Sequence, residues 1–473
     1  MHKSFTLGPG LLLLPLLLAV AAGMAYLTLQ GMETFGLLGL WGLLVVAGLC
    51  LRPEMGIVFF MTTFFVTYSE FLPMRGPLTP NNLLGLLFVI LLIVQIYREQ
   101  DLWFVHERSL QLLFILTVFM FVSSYIAEQS LVNTFEGIEG TSIKLDRMTT
   151  RFAFLLFFVN FIRTTRDLKL VLWTLVGIIL LTAASAVPSQ GGYRLAATLG
   201  IAAAGNANWF AFFCVFGMAF LWSYRQAVRR KWLRLLFNAT VGGLAISVLQ
   251  SGSRSGLLNL VLLFTLMTLQ GRFSLKKQIQ IALVMLLVGY GALSLLTASH
   301  FERLANIPFI GDASSRTTKG AGSTAGRESF LREGVKMVAS SPLIGIGIGN
   351  FTWYYEKQSG RVGSSPHNSY LAAAVEGGLP ALLLYLMLFG CTLHHFGRVE
   401  RETRDPELRA IACGLRWGMI VFLFFSLFAE FWLNIMTYLL IGCAIVLKRV
   451  HEQEVLGSFS GVATGANSRV RLA

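Results

Sequence analysis

Apolar runs recur along almost the whole chain, each bounded by a short polar or basic stretch. They fall near 11–30, 34–51, 55–72, 82–97, 109–127, 150–163, 167–187, 206–224, 232–250, 254–270, 276–298, 368–396, 410–431 and 433–449. A helix needs roughly 20 apolar residues to cross the hydrocarbon core of a bilayer. A helix is also the form such a run takes in lipid, because it satisfies its own backbone N–H and C=O groups. The short alternating segments of a membrane barrel are absent. Some runs are short (150–163) or almost touch (431–433) and read as half-spans or one bent helix. The pattern predicts an all-α polytopic membrane protein with about 12–14 transmembrane helices and both ends on one side. One stretch breaks the rhythm: residues 299–366 form a single long polar loop. The chain therefore divides into N-terminal spans (1–298), the loop (299–366), C-terminal spans (367–450) and a polar tail (451–473).

Composition agrees with this reading. The chain is 55% hydrophobic and 13% charged, with a mean hydropathy of +0.67, where a soluble domain carries roughly 25% charged residues. Of the basic residues, only His2 and Lys3 precede the first apolar run. That run is long and no soluble domain follows it, so we read it as a span, not a cleaved leader. Cys50, Cys214, Cys391, Cys413 and Cys443 all lie inside apolar runs and read as small core residues, not disulfides or metal ligands.

The net charge of +14 would suggest nucleic acid on a soluble protein. Here it belongs first to the cytoplasmic ends of spans, and no nucleic-acid partner is expected. Three short links are strongly basic: Arg225, Arg229, Arg230, Lys231 and Arg234; Arg272, Lys276 and Lys277; Arg398, Arg401, Arg404 and Arg409. With these inside, loops 128–149, 188–205, 251–254 and 299–366 lie outside. The long loop is itself net basic, on the side where basic residues are scarce. An anionic ligand such as a phosphate is the chemistry that such a surface attracts. Within it, Phe330, Gly334, Val335, Met337 and Val338 recur at helical spacing opposite Arg332, Glu333 and Lys336. They predict an amphipathic helix near 325–340, capped by Ser323 or Thr324, stopped by Pro342 and able to lie on the membrane surface.

The sharpest local feature is Ser364-Ser365-Pro366-His367-Asn368-Ser369-Tyr370, where the loop re-enters the membrane. Ser365 is placed to cap the helix and Pro366 to start it. His367 then lies in the first turn, where the positive helix end favours a neutral imidazole, available as a general base. The plainer reading is an interfacial histidine bonded to its loop, and the two stand level. Glu376 below it, inside an apolar run, needs a cation or a role in the site. Ser251-Gly252-Ser253-Arg254-Ser255-Gly256 is a tight outer turn whose Arg254 either grips a phosphate or snorkels from a helix end. Arg327 begins the loop helix. Arg194 and Arg361 join the group from position and charge alone. Gly345-Ile346-Gly347-Ile348-Gly349-Asn350 lacks the strand, helix and lysine of a nucleotide loop and reads as a turn back to the membrane. No clustered metal ligands and no serine-hydrolase elbow are seen.

Taken in order, these features resemble the O-antigen ligase and polymerase superfamily. His367-Asn368 followed by nine residues and Gly378 fits the ligase pattern. Ser253-Arg254 opening an apolar span fits another part of it. So does Gly326-Arg327 followed by the loop helix, Pro342-Leu343-Ile344-Gly345-Ile346-Gly347 and Asn350-Phe351. The resemblance covers about 190–440. It implies a glycosyltransferase-C-like helical fold in a bacterial inner membrane, with the long loop and active site facing the periplasm. Its members move a glycan from undecaprenyl diphosphate to an acceptor, which for a ligase is a lipid A–core sugar in lipopolysaccharide assembly. The reaction is inverting and metal-independent, without a cofactor. His367 takes the role of general base, Arg254 and Arg327 bind diphosphate, and Asn368 joins the substrate site. The expected partners are the lipid-linked glycan, the lipid A–core acceptor and membrane lipids. A polymerase, a transferase acting on protein and, less readily, a transporter of an anionic lipid-linked glycan remain as alternatives. Acceptor, glycan structure and oligomeric state stay open.

Overall fold

The structure is a computed structural model. It describes residues 57–58, 86, 89–94, 97, 107–127, 140–186, 207–269, 318–359 and 365–469. The chain separates into two units, Met1–Thr79 and Pro80–Ala473, and every helix named below belongs to the second. Arg194 and Arg361 lie outside the described residues, as do the apolar runs near 11–30, 34–51 and 276–298.

Every regular element among the described residues is an α-helix. In order these are α1 (Arg108–Ile126), α2 (Thr141–Phe161), α3 (Thr165–Ala186), α4 (Ala207–Tyr224), α5 (Lys231–Gln250), α6 (Arg254–Leu269), α7 (Thr318–Ser340), α8 (Phe351–Ser359), α9 (Ser369–Glu402), α10 (Pro406–Phe425) and α11 (Ile435–Arg469). Six of them, α1, α3, α4, α5, α9 and α10, are long and apolar enough to cross a membrane. The chain is thus an all-α polytopic membrane protein.

The inner helix is α4, whose residues from Phe210 to Leu221 are all buried. It packs against α10, α5 and α6. Small residues set how close these helices come: a Cβ at Gly418 would lie 2.5 Å from the Phe216 ring, and one at Gly256 would lie 2.4 Å from the Ala211 Cβ. Lipid removes the hydrophobic drive between helices, so close backbone approach of this kind carries much of the packing. At one end of the bundle Phe212 packs among Phe422, Phe425 and Phe431, with ring centres 5.2–5.7 Å apart.

The α9 helix is broken. Gly378 has φ +72° and ψ −177°, and a Cβ there would meet the Pro342 oxygen at 2.7 Å. The break leaves the carbonyls of Val375 and Glu376 without helical partners, and the glycine loop takes them. Ile346 N–H donates to Val375 O at 2.9 Å and Gly347 N–H to Glu376 O at 3.0 Å, while Leu379 N–H donates back to Pro342 O at 2.8 Å. Gly345 is required at this crossing, since its φ is +74° and a Cβ would lie 2.6 Å from the Glu376 backbone. The segment expected to be a simple turn is therefore a backbone latch on a split helix. Ser123 of α1 completes it, donating to Ile344 O at 2.6 Å and Glu376 O at 3.1 Å.

The loop helix α7 starts earlier than the sequence pattern predicts, at Thr318. Ser323 and Thr324 fall inside it, and a hydroxyl caps only where no helix precedes it. Its inner face is also narrower than predicted. Phe330 and Met337 are buried with Ile346, Phe351, Tyr355, Leu371 and Val375, and Gly334 lies against Leu371. Val335, expected on this face, is exposed. The described part of the loop, from α7 through α8, is thus a folded cap on the first half of α9.

Candidate active site

Three sequence-distant residues, Arg254, Arg327 and His367, come together at one end of the bundle. Arg254 opens α6. Ser253, just before it, caps that helix by accepting the Gly256 N–H at 3.0 Å. The Ser253 hydroxyl in turn donates to Asn208 Oδ1 at 2.7 Å, and Ser255 reaches the same oxygen at 3.1 Å. A polar knot thus fixes the start of α6 to the start of α4, and with it the base of the Arg254 side chain. Arg327 stands one turn before Phe330, whose ring centre lies 4.7 Å from that of Tyr355 and 6.3 Å from that of His367.

His367 lies just outside a helix. Asn368, not Ser365, is the cap: its Oδ1 accepts the N–H groups of Tyr370 and Leu371 at 2.9 and 3.0 Å. The helix begins at Ser369, so the histidine precedes its first turn. Its φ of +49° makes it the one non-glycine residue with positive φ among the described residues. Such strained backbone concentrates at functional sites. Ser365 Oγ lies 3.5 Å from its Nδ1.

Electrostatics ties the three residues together. Burial, and then the neighbouring Arg327, hold the His367 imidazole below its usual value, while Glu430 pulls the other way. Burial, and then Arg254, depress Arg327 in the same manner. The sequence expects a neutral imidazole through the helix dipole; in the structure His367 precedes the helix, and burial and Arg327 are what lower its affinity for protons.

Two charged residues at this end do not stand out in the sequence. Lys144 of α2 sits 2.8 Å from Glu376 Oε1 and 2.8 Å from Glu430 Oε1. This answers the need of Glu376 for a cation, and Glu376 Oε1 also accepts the Gly349 N–H at 3.0 Å. Glu430 is placed by Ser369, whose hydroxyl donates to Ala429 O at 2.9 Å and accepts the Phe431 N–H at 2.7 Å. The Phe431 and Trp209 rings are 4.9 Å apart, centre to centre, which connects this turn to the Asn208 knot beneath Arg254. The available signal was an acid within the apolar stretch from Leu427 to Trp432, a costly placement that calls for a role. Lys144, predicted in a loop, lies instead in the first turn of α2.

The arrangement sets an imidazole whose protonation is disfavoured beside Arg327, which in turn lies within electrostatic reach of Arg254. Residues 239–386 match the O-antigen ligase family. The matched stretch holds Arg254, Arg327, His367, the glycine latch and the Gly378 break. It supports an O-antigen ligase or polymerase type of activity, of the glycosyltransferase kind, and implies a lipid-linked glycan in a membrane setting. No curated protein matches the chain.

Proposed function

We propose that the chain transfers a glycan from undecaprenyl diphosphate to a sugar hydroxyl, as an O-antigen ligase with lipid A–core as acceptor, at the periplasmic face of the inner membrane. The observation that carries this reading is the convergence of Arg254, Arg327 and His367, where Arg254 and then Arg327 each shift the next residue's protonation. Guanidinium groups bond phosphate oxygens bidentately, and a lipid-borne diphosphate presents such oxygens.

In the proposed step the acceptor oxygen attacks the anomeric carbon from the face opposite the diphosphate. The bond from carbon to diphosphate oxygen breaks and configuration inverts. The hydroxyl proton passes to His367, whose lowered affinity for protons keeps it neutral and ready at pH 7. Negative charge grows on the departing diphosphate, where Arg254 and Arg327 stabilise it. With that charge supplied by guanidinium groups, transfer continues in the presence of EDTA. Glu430 favours the imidazolium as it forms. Asn368 acts through position: its cap holds His367 at the mouth of α9.

The test uses purified protein with lipid-linked glycan, with and without lipid A–core. Product that requires lipid A–core supports ligation; chain extension from donor alone shows polymerisation. In the same assay His367→Ala lowers transfer by roughly 10²–10⁴-fold with unchanged insertion and melting. Full transfer by this variant would remove His367 as base.

A further inference from the structure

The loop helix α7 leaves an apolar strip uncovered beside its buried face. Leu331 and Val335, one turn apart, are 51% and 56% exposed, and Leu343, just past the helix end, is 69% exposed. Arg332 and Lys336 occupy the other flank and are largely exposed in pairs with Glu328 and Glu333. The strip does not end at the loop. The backbone of Pro342 and Leu343 crosses Gly378, where Leu379 N–H meets Pro342 O. From there Leu379, Leu383, Leu386 and Met387 continue as exposed apolar residues along the second half of α9, a helix long and apolar enough to span a membrane. Lipid is what covers such a face on a spanning helix, and the α7 strip is its direct extension.

We propose that α7 is seated in the bilayer interface, with Leu331, Val335 and Leu343 among the upper acyl chains and Arg332 and Lys336 turned to the head groups. An interfacial helix sinks its apolar face by about 5–10 Å in this way. Arg327, one turn before Leu331, then stands at the level of the lipid phosphates. A diphosphate borne on a lipid meets it without leaving the membrane. The seating itself does not depend on which reaction the site performs.

The experiment places a bimane fluorophore on Leu331→Cys, Val335→Cys and Lys336→Cys in the full chain, reconstituted in nanodiscs. Identically treated wild-type protein serves as blank for the native cysteines. Phospholipid brominated near the carbonyl end of its acyl chains is the quencher. Quenching at 331 and 335 at least twofold above that at 336 is the expected result. Equal quenching at all three positions overturns the seating. Disulfide-linked dimers of Leu331→Cys in the nanodisc also overturn it, since a second copy of the chain would then cover the strip.

Discussion

The two ends of the helix bundle handle charge in opposite ways. At the end away from His367, acids and cations pair off. Lys448 and His395 share Glu107 at 2.7 and 3.3 Å. Lys169 and the Tyr224 hydroxyl share Glu407, and Arg416 meets Glu400 at 2.9 Å. Arg449 donates to the carbonyls of Val159 and Ile162 at the end of α2. Each of these contacts joins two or more helices. At the His367 end, one lysine bridges two carboxylates, while Arg254 and Arg327 act on each other as like charges. One end uses charge to hold helices together; at the other, Arg254 disfavours the charge on Arg327, and Arg327 that on His367. On the function proposed above, the contrast separates a structural from a binding use of charge within one chain.

The sharpest break in that contrast comes at Lys144, which serves structure at the end otherwise built for binding. Lys144→Met leaves Glu376, fully buried, and Glu430 without their shared cation. Removing one partner of a buried ion pair costs about 3–5 kcal/mol. We expect a marked fall in the melting temperature of the detergent-solubilised protein. Melting like the wild type would mean that Gly349 and the latch carry Glu376 without help.

Arg254→Ala and Arg327→Ala test the binding use directly. Loss of one preorganised donor to developing charge costs on the order of 10²–10³ in rate, so transfer falls by that factor while melting stays close to wild type. Initial rates over a range of lipid-linked donor provide the check. If either variant melts far below wild type and transfers normally, the arginines are helix ties like those at the opposite end.

Much of this was legible in the sequence, and unevenly so. Helix class and the trio Arg254, Arg327 and His367 could be read because apolar runs and short ordered motifs are local features. The latch could not, because it depends on backbone carbonyls freed by a break at Gly378, far along the chain from Gly345. The cap was misplaced for a related reason: Ser365 and Asn368 both suit an N-cap, and only the turn at His367 decides between them. Lys144 looks ordinary alone, and Glu430 is an acid in an apolar stretch with no partner nearby in sequence; the two become a site feature only when α2 and the turn after α10 meet. Arg194 and Arg361 lie outside the described residues, and their proposed part in the site rests on sequence position and charge.

A smaller effect comes from the pH profile of transfer. In the proposed mechanism His367 works as base only when neutral, so the rate should fall as pH drops through its protonation. Burial and Arg327 hold that point below the usual histidine value, and Glu430 opposes them. Arg327→Gln relieves part of the downward pressure, so the acid limb of kcat/KM moves to higher pH. Glu430→Gln removes the upward pull, so the limb moves to lower pH, while the amide can still accept from Lys144. Shifts of opposite sign identify both residues as neighbours that tune His367. Shifts of the same sign would mean that the limb belongs to another group.

The smallest effect belongs to the paired end. Lys169 and Glu407 are about one-third exposed, and pairs in such surroundings contribute about 0–1 kcal/mol. Lys169→Ala leaves Tyr224 still donating to Glu407, so the tie between α4 and α10 survives while the one between α3 and α10 is lost. Melting should shift by no more than a few degrees, and the transfer rate and its pH limb should stay where they are. The value of this variant lies in that expected quietness. If a lysine at the far end changed transfer without changing melting, charge at the two ends would be coupled through α4 or α10, and the division between a structural end and a binding end would have to be given up.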